Sequence, residues 1–212
     1  MKDCTDITIL LDRTGSMEQI KADTIGGFNR FLSEQQAVPG DALLSLIQFD
    51  SQDPFEVVYK ASPIKDAKPL TVQTYIPRAM TPLLDAIGRT VNDIGARIGA
   101  LSGTDRPDKV ILVILTDGLE NASKEFTQEK VFQMLKHQQE VYKWQVVYLG
   151  ANQDAIAEGA KIGSPFASSM TYAPTTDGTR AVYAAASAGV AEHRVSGKGV
   201  TFTEEQRKKA VS

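Results

Sequence analysis

One cysteine in 212 residues, Cys4, rules out an intramolecular disulfide and makes a reducing compartment the default, so the cytoplasm is the expected location. Two histidines, His137 and His193, lie far apart and with Cys4 give no zinc-ligand spacing. No stretch approaches the roughly 20 apolar residues of a membrane span, and the polar start Met1 to Asp6 has no signal-peptide apolar region; no membrane partner is expected. A net charge of −3 leaves no basic footprint for nucleic acid. Neither Gly-x-Gly-x-x-Gly nor Gly-x₄-Gly-Lys-Ser/Thr follows a strand-like run, so a nucleotide's phosphate cradle is missing. There is no internal repeat and no low-complexity segment. What is present is ordinary in amount: 42 % apolar and 23 % charged residues, enough for one α/β domain with a full core.

Apolar runs alternate with helical periodicity along the chain. Strands are predicted at about 6–11, 42–49, 55–60, 110–115 and 145–149, with an edge strand near 166–171. Helices are predicted at about 16–37, from Thr81 through Leu101, at 127–142, 153–161 and 176–195. The second helix is the clearest: Leu84, Ile87, Val91, Ile94, Ile98 and Leu101 form one stripe, with Thr81 and Pro82 where an N-cap and first-turn proline belong. Residues 62–80 hold three prolines and read as a loop. This order implies an α/β, Rossmann-like three-layer sandwich. Its six-stranded central sheet is mostly parallel with one antiparallel edge strand, and helices cover both faces. Residues 1–195 are expected to form one domain and residues 196–212 a C-terminal tail, either a capped short helix or mobile.

The chemistry concentrates in two turns. Asp12-Arg13-Thr14-Gly15-Ser16 follows the buried run Ile7 to Leu11, and Thr116-Asp117-Gly118 follows Val110 to Leu115. Carboxylates and hydroxyls are hard oxygen ligands for a hard cation. In doubly wound sheets ligands bind beyond the carboxyl ends of the strands, where strand order reverses. If these two strands are neighbours, their turns share that crevice. Mg²⁺ takes near-octahedral oxygen coordination and keeps several waters, so two carboxylates with neutral hydroxyls would hold it and leave it electrophilic.

Three ordered stretches then carry a resemblance. Asp12-Arg13-Thr14-Gly15-Ser16-Met17, Thr81-Pro82-Leu83-Leu84 and Thr116-Asp117-Gly118 resemble the motifs of von Willebrand factor type A domains, the integrin I-like family, over roughly residues 5–195. Small stand-alone members of that family occur in bacteria and phages. The resemblance implies a metal-ion-dependent adhesion site with Asp12, Thr14, Ser16, Thr81 and Asp117 as its members. It also implies a protein partner that offers an Asp or Glu to the metal. Mg²⁺ is the expected ion, with Mn²⁺ and Ca²⁺ as alternatives. Thr14 stands where many members have Ser, and Ala79-Met80 precede Thr81 where Gly-Gly or Gly-x is common.

Two other functions stay open on the residues. Asp12 after a buried strand also resembles the haloacid dehalogenase nucleophile, giving a metal-dependent phosphohydrolase. That chemistry needs a second Asp two residues on, where this chain has Thr14. Alternatively, Glu204 or Glu205 of the tail reaches a neighbouring molecule's metal and drives self-association. A binding module rather than an enzyme is the expectation. Arg13, His137 and His193 are expected to be exposed, Glu120 and Asn121 to be solvated loop residues, and Asp85 to be a surface residue or an orienter of the Thr81 loop.

Overall fold

The computed structural model describes residues 3–212. Strands β1 (Thr5–Asp12), β2 (Ala42–Phe49), β3 (Glu56–Pro63), β4 (Lys109–Thr116), β5 (Gln145–Ala151) and β6 (Ser169–Tyr172) form one sheet in the order β3-β2-β1-β4-β5-β6. All pairings are parallel except the β2–β3 hairpin at the edge. β1 is buried along its whole length and β4 nearly so, as their continuous apolar runs require of strands covered on both faces.

Alternation sorts the two cores. Ile7, Ile9, Leu11, Ile111, Val113 and Leu115 face α1 (Lys21–Ala37), α5 (Thr176–Ser196) and α6 (Glu204–Val211). Leu10, Leu112 and Ile114 face α2 (Leu83–Gly99), α3 (Gln128–Tyr142) and α4 (Ala155–Lys161). The three-layer sandwich expected from the sequence is the one observed. Gly27 lets α1 and α5 close on each other, because a Cβ there would lie 2.2 Å from the Tyr183 ring.

The differences are local. The first helix begins as a 3-10 turn over Gly15–Ile20 and becomes α-helical only at Lys21. β3 runs on to Pro63, irregular at Ala61 with φ +45. Residues 166–168 form a 3-10 turn behind Pro165, so β6 starts only at Ser169. α2 starts at Leu83, and no side-chain bond from Thr81 caps it. In the tail, Thr203 and Gln206 form a reciprocal capping box at the start of α6, and Ala210 is fully buried.

Strand order reverses between β1 and β4. β1 connects through α1 outward to β2, while β4 connects through α3 outward to β5. The crevice this creates opens at the carboxyl ends of both strands.

Candidate metal site

Asp12 closes β1 and Thr116 closes the neighbouring β4, in a register that pairs Leu11 with Leu115. The five carboxylate and hydroxyl residues singled out in the sequence gather at this point. Asp12 is fully buried. Its Oδ1 accepts the Thr14 N–H at 2.7 Å and its Oδ2 the Thr116 hydroxyl at 2.5 Å. Thr14 Oγ1 and Ser16 Oγ lie 3.2 Å apart. Ser16 Oγ donates to Asp117 Oδ1 at 2.6 Å, across 101 residues of chain. Thr81 is buried beside them, and a Cβ on Gly118 would sit 2.8 Å from its hydroxyl. Glycine after Asp117 is therefore what allows Thr81 to approach.

The electrostatics of this cluster are those of an anion pair without a counter-charge. Burial pushes the Asp12 carboxyl up to about 7; the Thr116 and Thr14 hydrogen bonds oppose that shift and the Asp117 charge adds to it. Asp117 is also raised by burial, against the Ser16 hydrogen bond and smaller contributions from its own N–H and the Gln19 side chain. Neither forms a salt bridge among the described residues. Asp117 Oδ2 is buried and has no hydrogen-bond partner. A buried, unpaired carboxylate oxygen beside hydroxyl lone pairs fits a hard divalent cation. No group of three or more His, Cys, Asp or Glu residues spaced for a metal exists among the described residues. The donor set here is two carboxylates completed by hydroxyls.

Two hydrogen-bond networks that the sequence did not reveal, each anchored on a buried carboxylate, Asp50 or Asp85, hold the cluster in place. The first corrects the expectation for Arg13, which is 5 % exposed rather than solvated. Its side chain points away from the site, and its Nε donates to Asp50 at 2.6 Å while Nη1 reaches Glu56. Asp50, fully buried, also accepts Arg78 Nε at 2.9 Å and the N–H groups of Gln52 and Asp53. Burial alone would raise its carboxyl; these donors, Arg78 first, hold it below the usual carboxylate range. Ser51 and Met80 bond reciprocally, Ser51 N–H to the Met80 carbonyl and Met80 N–H to the Ser51 hydroxyl. Gly15 N–H donates to the carbonyl of Ala79, which sits at φ +62, a left-handed conformation that glycine adopts more readily. Tyr75 donates its hydroxyl to the Asp12 carbonyl at 2.6 Å.

The second network fixes Thr81 from the other side. Thr81 N–H donates to Asn121 Oδ1, and Asn121 N–H donates back to the Thr81 carbonyl. Glu120 accepts the Leu84 N–H at the start of α2 as well as the N–H groups of Ala122 and Ser123. Asp85, 5 % exposed, accepts three consecutive N–H groups, from Lys124, Glu125 and Phe126. Asn121 is exposed and Glu120 half-buried, as solvated loop residues are, but both also bind backbone around Thr81 and the start of α2. Asp85 orients the segment after Asp117, which in turn holds Thr81. The available signal was Asp50 placed directly after a buried strand, as Asp12 is; nothing local marked the three amides that Asp85 collects.

His137 is exposed as expected, whereas His193 is 5 % exposed, with Nδ1 2.9 Å from the Lys198 carbonyl. Cys4 is a buried free thiol. No helix among the described residues is long and apolar enough to cross a membrane.

No protein-family model matches the sequence, and no curated protein matches it. Solved structures do share its architecture. Proximal thread matrix protein 1 from the mussel byssus, with a zinc-occupied MIDAS motif, aligns over 94 % of this chain and 48 % of its own at 12 % identity and a TM-score of 0.60. The pilus adhesin SpaC from Lactobacillus rhamnosus GG aligns over 89 % of this chain and 30 % of its own at 16 % identity and 0.62. A von Willebrand factor type A structure from Catenulispora acidiphila aligns over 87 % and 42 % at 10 % identity and 0.54. The chain spans less than half the length of each. With the sheet order, the parallel register and the placement of the three motif turns, this likeness settles the architecture: the chain has the von Willebrand factor type A fold.

Proposed function

We propose that Asp12, Thr14, Ser16, Thr81 and Asp117 hold a divalent cation, and that the cation binds an Asp or Glu side chain of a partner protein. The observation that carries this is the pair of buried, mutually repelling carboxylates with an unpartnered oxygen on Asp117. A cation supplies the missing charge, and the hydroxyls of Thr14, Ser16 and Thr81 add donors without adding charge. Support also comes from the zinc-occupied MIDAS motif of the mussel protein, a likeness of fold at low identity. Mg²⁺ suits an all-oxygen set of this size, with Mn²⁺ and Ca²⁺ as substitutes. The cation's own part is to accept a carboxylate oxygen; the protein's part is to keep the donors converged.

A binding module accounts for the geometry better than a phosphohydrolase. Both oxygens of Asp12 are engaged by Thr14 and Thr116, and the side chain is fully buried, so it is poorly placed for nucleophilic attack. Thr14 also stands where the acid/base Asp would be required. Self-association through Glu204 or Glu205 would have to be head to tail. Both begin α6, whose Arg207 reaches back to carbonyls at the start of β6, toward the sheet edge opposite the site. The lone thiol, buried and unpaired, is compatible with the cytoplasm as the proposed compartment.

Thermal unfolding with millimolar Mg²⁺ or Mn²⁺ tests the metal. Binding to the folded state at about 100 times Kd adds roughly 2.7 kcal/mol, so a clear rise in Tm is expected. It should disappear in Asp12→Ala and shrink in Ser16→Ala. An unchanged Tm in the wild-type protein, with no ion bound by calorimetry, would defeat the proposal.

A further inference from the structure

The rim of the candidate site is apolar where a purely ionic docking surface would be polar. Ile76, Met80 and Leu119 are 52 %, 57 % and 55 % exposed. Each belongs to a segment that builds the site. Met80 precedes Thr81, Leu119 follows Asp117-Gly118, and Ile76 follows Tyr75, whose hydroxyl meets the Asp12 carbonyl. Thr81 against Gly118 brings the Met80 and Leu119 segments into direct contact.

The backbone that presents these side chains is pinned. Met80 is clamped by its two bonds to Ser51, and the backbone between Ile76 and Met80 by Arg78 N–H on the Arg13 carbonyl and Gly15 N–H on the Ala79 carbonyl. Leu119 lies between Gly118, bonded through Thr116, and Glu120, which caps α2. Large apolar side chains presented to water by pinned backbone around a polar centre are a docking signature, because their burial is rewarded only when a partner arrives. The charge balance selects that partner's polar group. Two carboxylates neutralise a divalent ion, leaving it a neutral but electrophilic acceptor that takes up a further anionic oxygen.

We infer that Ile76, Met80 and Leu119 form an apolar collar that selects a partner segment whose acidic residue is flanked by bulky apolar side chains. This rests on the metal-and-carboxylate reading above and adds to it the partner's chemistry. The acid fixes the segment on the ion; the collar provides the larger share of discrimination between one acidic segment and another, since an acid alone is common to every protein surface.

The test uses the full chain in Mg²⁺ and two immobilised peptides of equal charge. One carries a single Glu flanked on each side by Leu and Phe, the other the same Glu flanked by Ser. The apolar-flanked peptide is expected to bind at least about tenfold more tightly, and chelator should abolish that binding. Ile76→Ser, Met80→Ser and Leu119→Ser should each erase most of the preference while the Mg²⁺-induced rise in Tm persists, since metal uptake uses none of these side chains. Equal binding of the two peptides, or a preference unchanged in all three variants, overturns the collar while leaving the metal reading intact. Loss of the Mg²⁺ response in the wild-type chain overturns the metal reading itself. Tighter capture by phosphatidylserine vesicles than by the apolar-flanked peptide would assign the collar to a lipid surface and overturn the protein-segment inference.

Discussion

Asp12 behaves unlike an ordinary aspartate because its charge is buried beside another. Its carboxyl, raised to about 7 chiefly by burial, binds a proton more readily in the folded protein than in the unfolded chain, where the value is near 3.9. The folded state thus gains from that proton below about pH 4, and the gain is lost progressively as pH climbs toward 7. A cation must displace the same proton. The rise in Tm from Mg²⁺ is therefore expected to be larger at pH 8 than at pH 6, and Asp12→Asn should remove both the response and its pH dependence. A Mg²⁺ response equal at the two pH values would contradict this assignment of the proton. The carboxylates and hydroxyls themselves were legible in the sequence, since each follows a buried strand or precedes a helical stripe. Arg13 was not. Position alone cannot distinguish a solvated arginine from one paired with Asp50, which lies 37 residues downstream.

At the scale of elements, the helices and strands were legible because their periodicities are long and clean. Their ends were less so, because tertiary contacts decide them. Thr81 carries the signature of an N-cap, yet Glu120 and Ser123, from the segment after β4, supply the acceptors for α2's first amides. Freeing Thr81 from capping leaves its hydroxyl for the site. Asp85 is the reciprocal tie, accepting the N–H groups of Lys124, Glu125 and Phe126 from within α2. Asp85→Ala leaves three amides of a partly exposed loop without their acceptor, and hydrogen bonds to a charged acceptor are worth about 1.5–3 kcal/mol each. Water will recover part of this, so a loss of about 2–3 kcal/mol in urea unfolding is expected, with the m-value unchanged. A loss below about 0.5 kcal/mol would show that the loop does not depend on this carboxylate.

For the molecule as a whole, the sequence separates a domain of 195 residues from a tail, but α6 is packed onto the sandwich. Val200, Phe202 and Ala210 are buried in the core shared with α1 and α5. Ala173 N–H donates to the Ala210 carbonyl at 2.8 Å, and the Arg207 guanidinium lies 4.7 Å from the Phe166 ring centre while bonding three carbonyls around the start of β6. The tail's short, charged helix gives little periodic signal of its own, so the sequence alone did not indicate where it lies. Removing residues 198–212 takes the buried Val200, Phe202 and Ala210 out of the core and uncovers part of β6. Burial of such side chains is worth about 1.5–3 kcal/mol each, so truncation is expected to lower stability by about 3–5 kcal/mol. It should leave the Mg²⁺ response in place, because α6 contributes no donor to the site. Undiminished stability after truncation would make α6 an appendage.

The reversal of strand order between β1 and β4 has one more consequence. Ser16 and Asp117 meet only if β1 and β4 are neighbours, parallel and in step. A slip of one residue would turn Asp12 toward the opposite layer. Thr81 joins them only once the long passage from β3 into α2 has been laid across the sheet edge. No shorter piece of chain contains the donor set. A single divalent ion would therefore act as an inspector of one step of assembly, accepting molecules in which β1, β4 and the passage into α2 have met in register and ignoring those in which they have not. Bound metal would count, one by one, the molecules whose central strands are correctly joined.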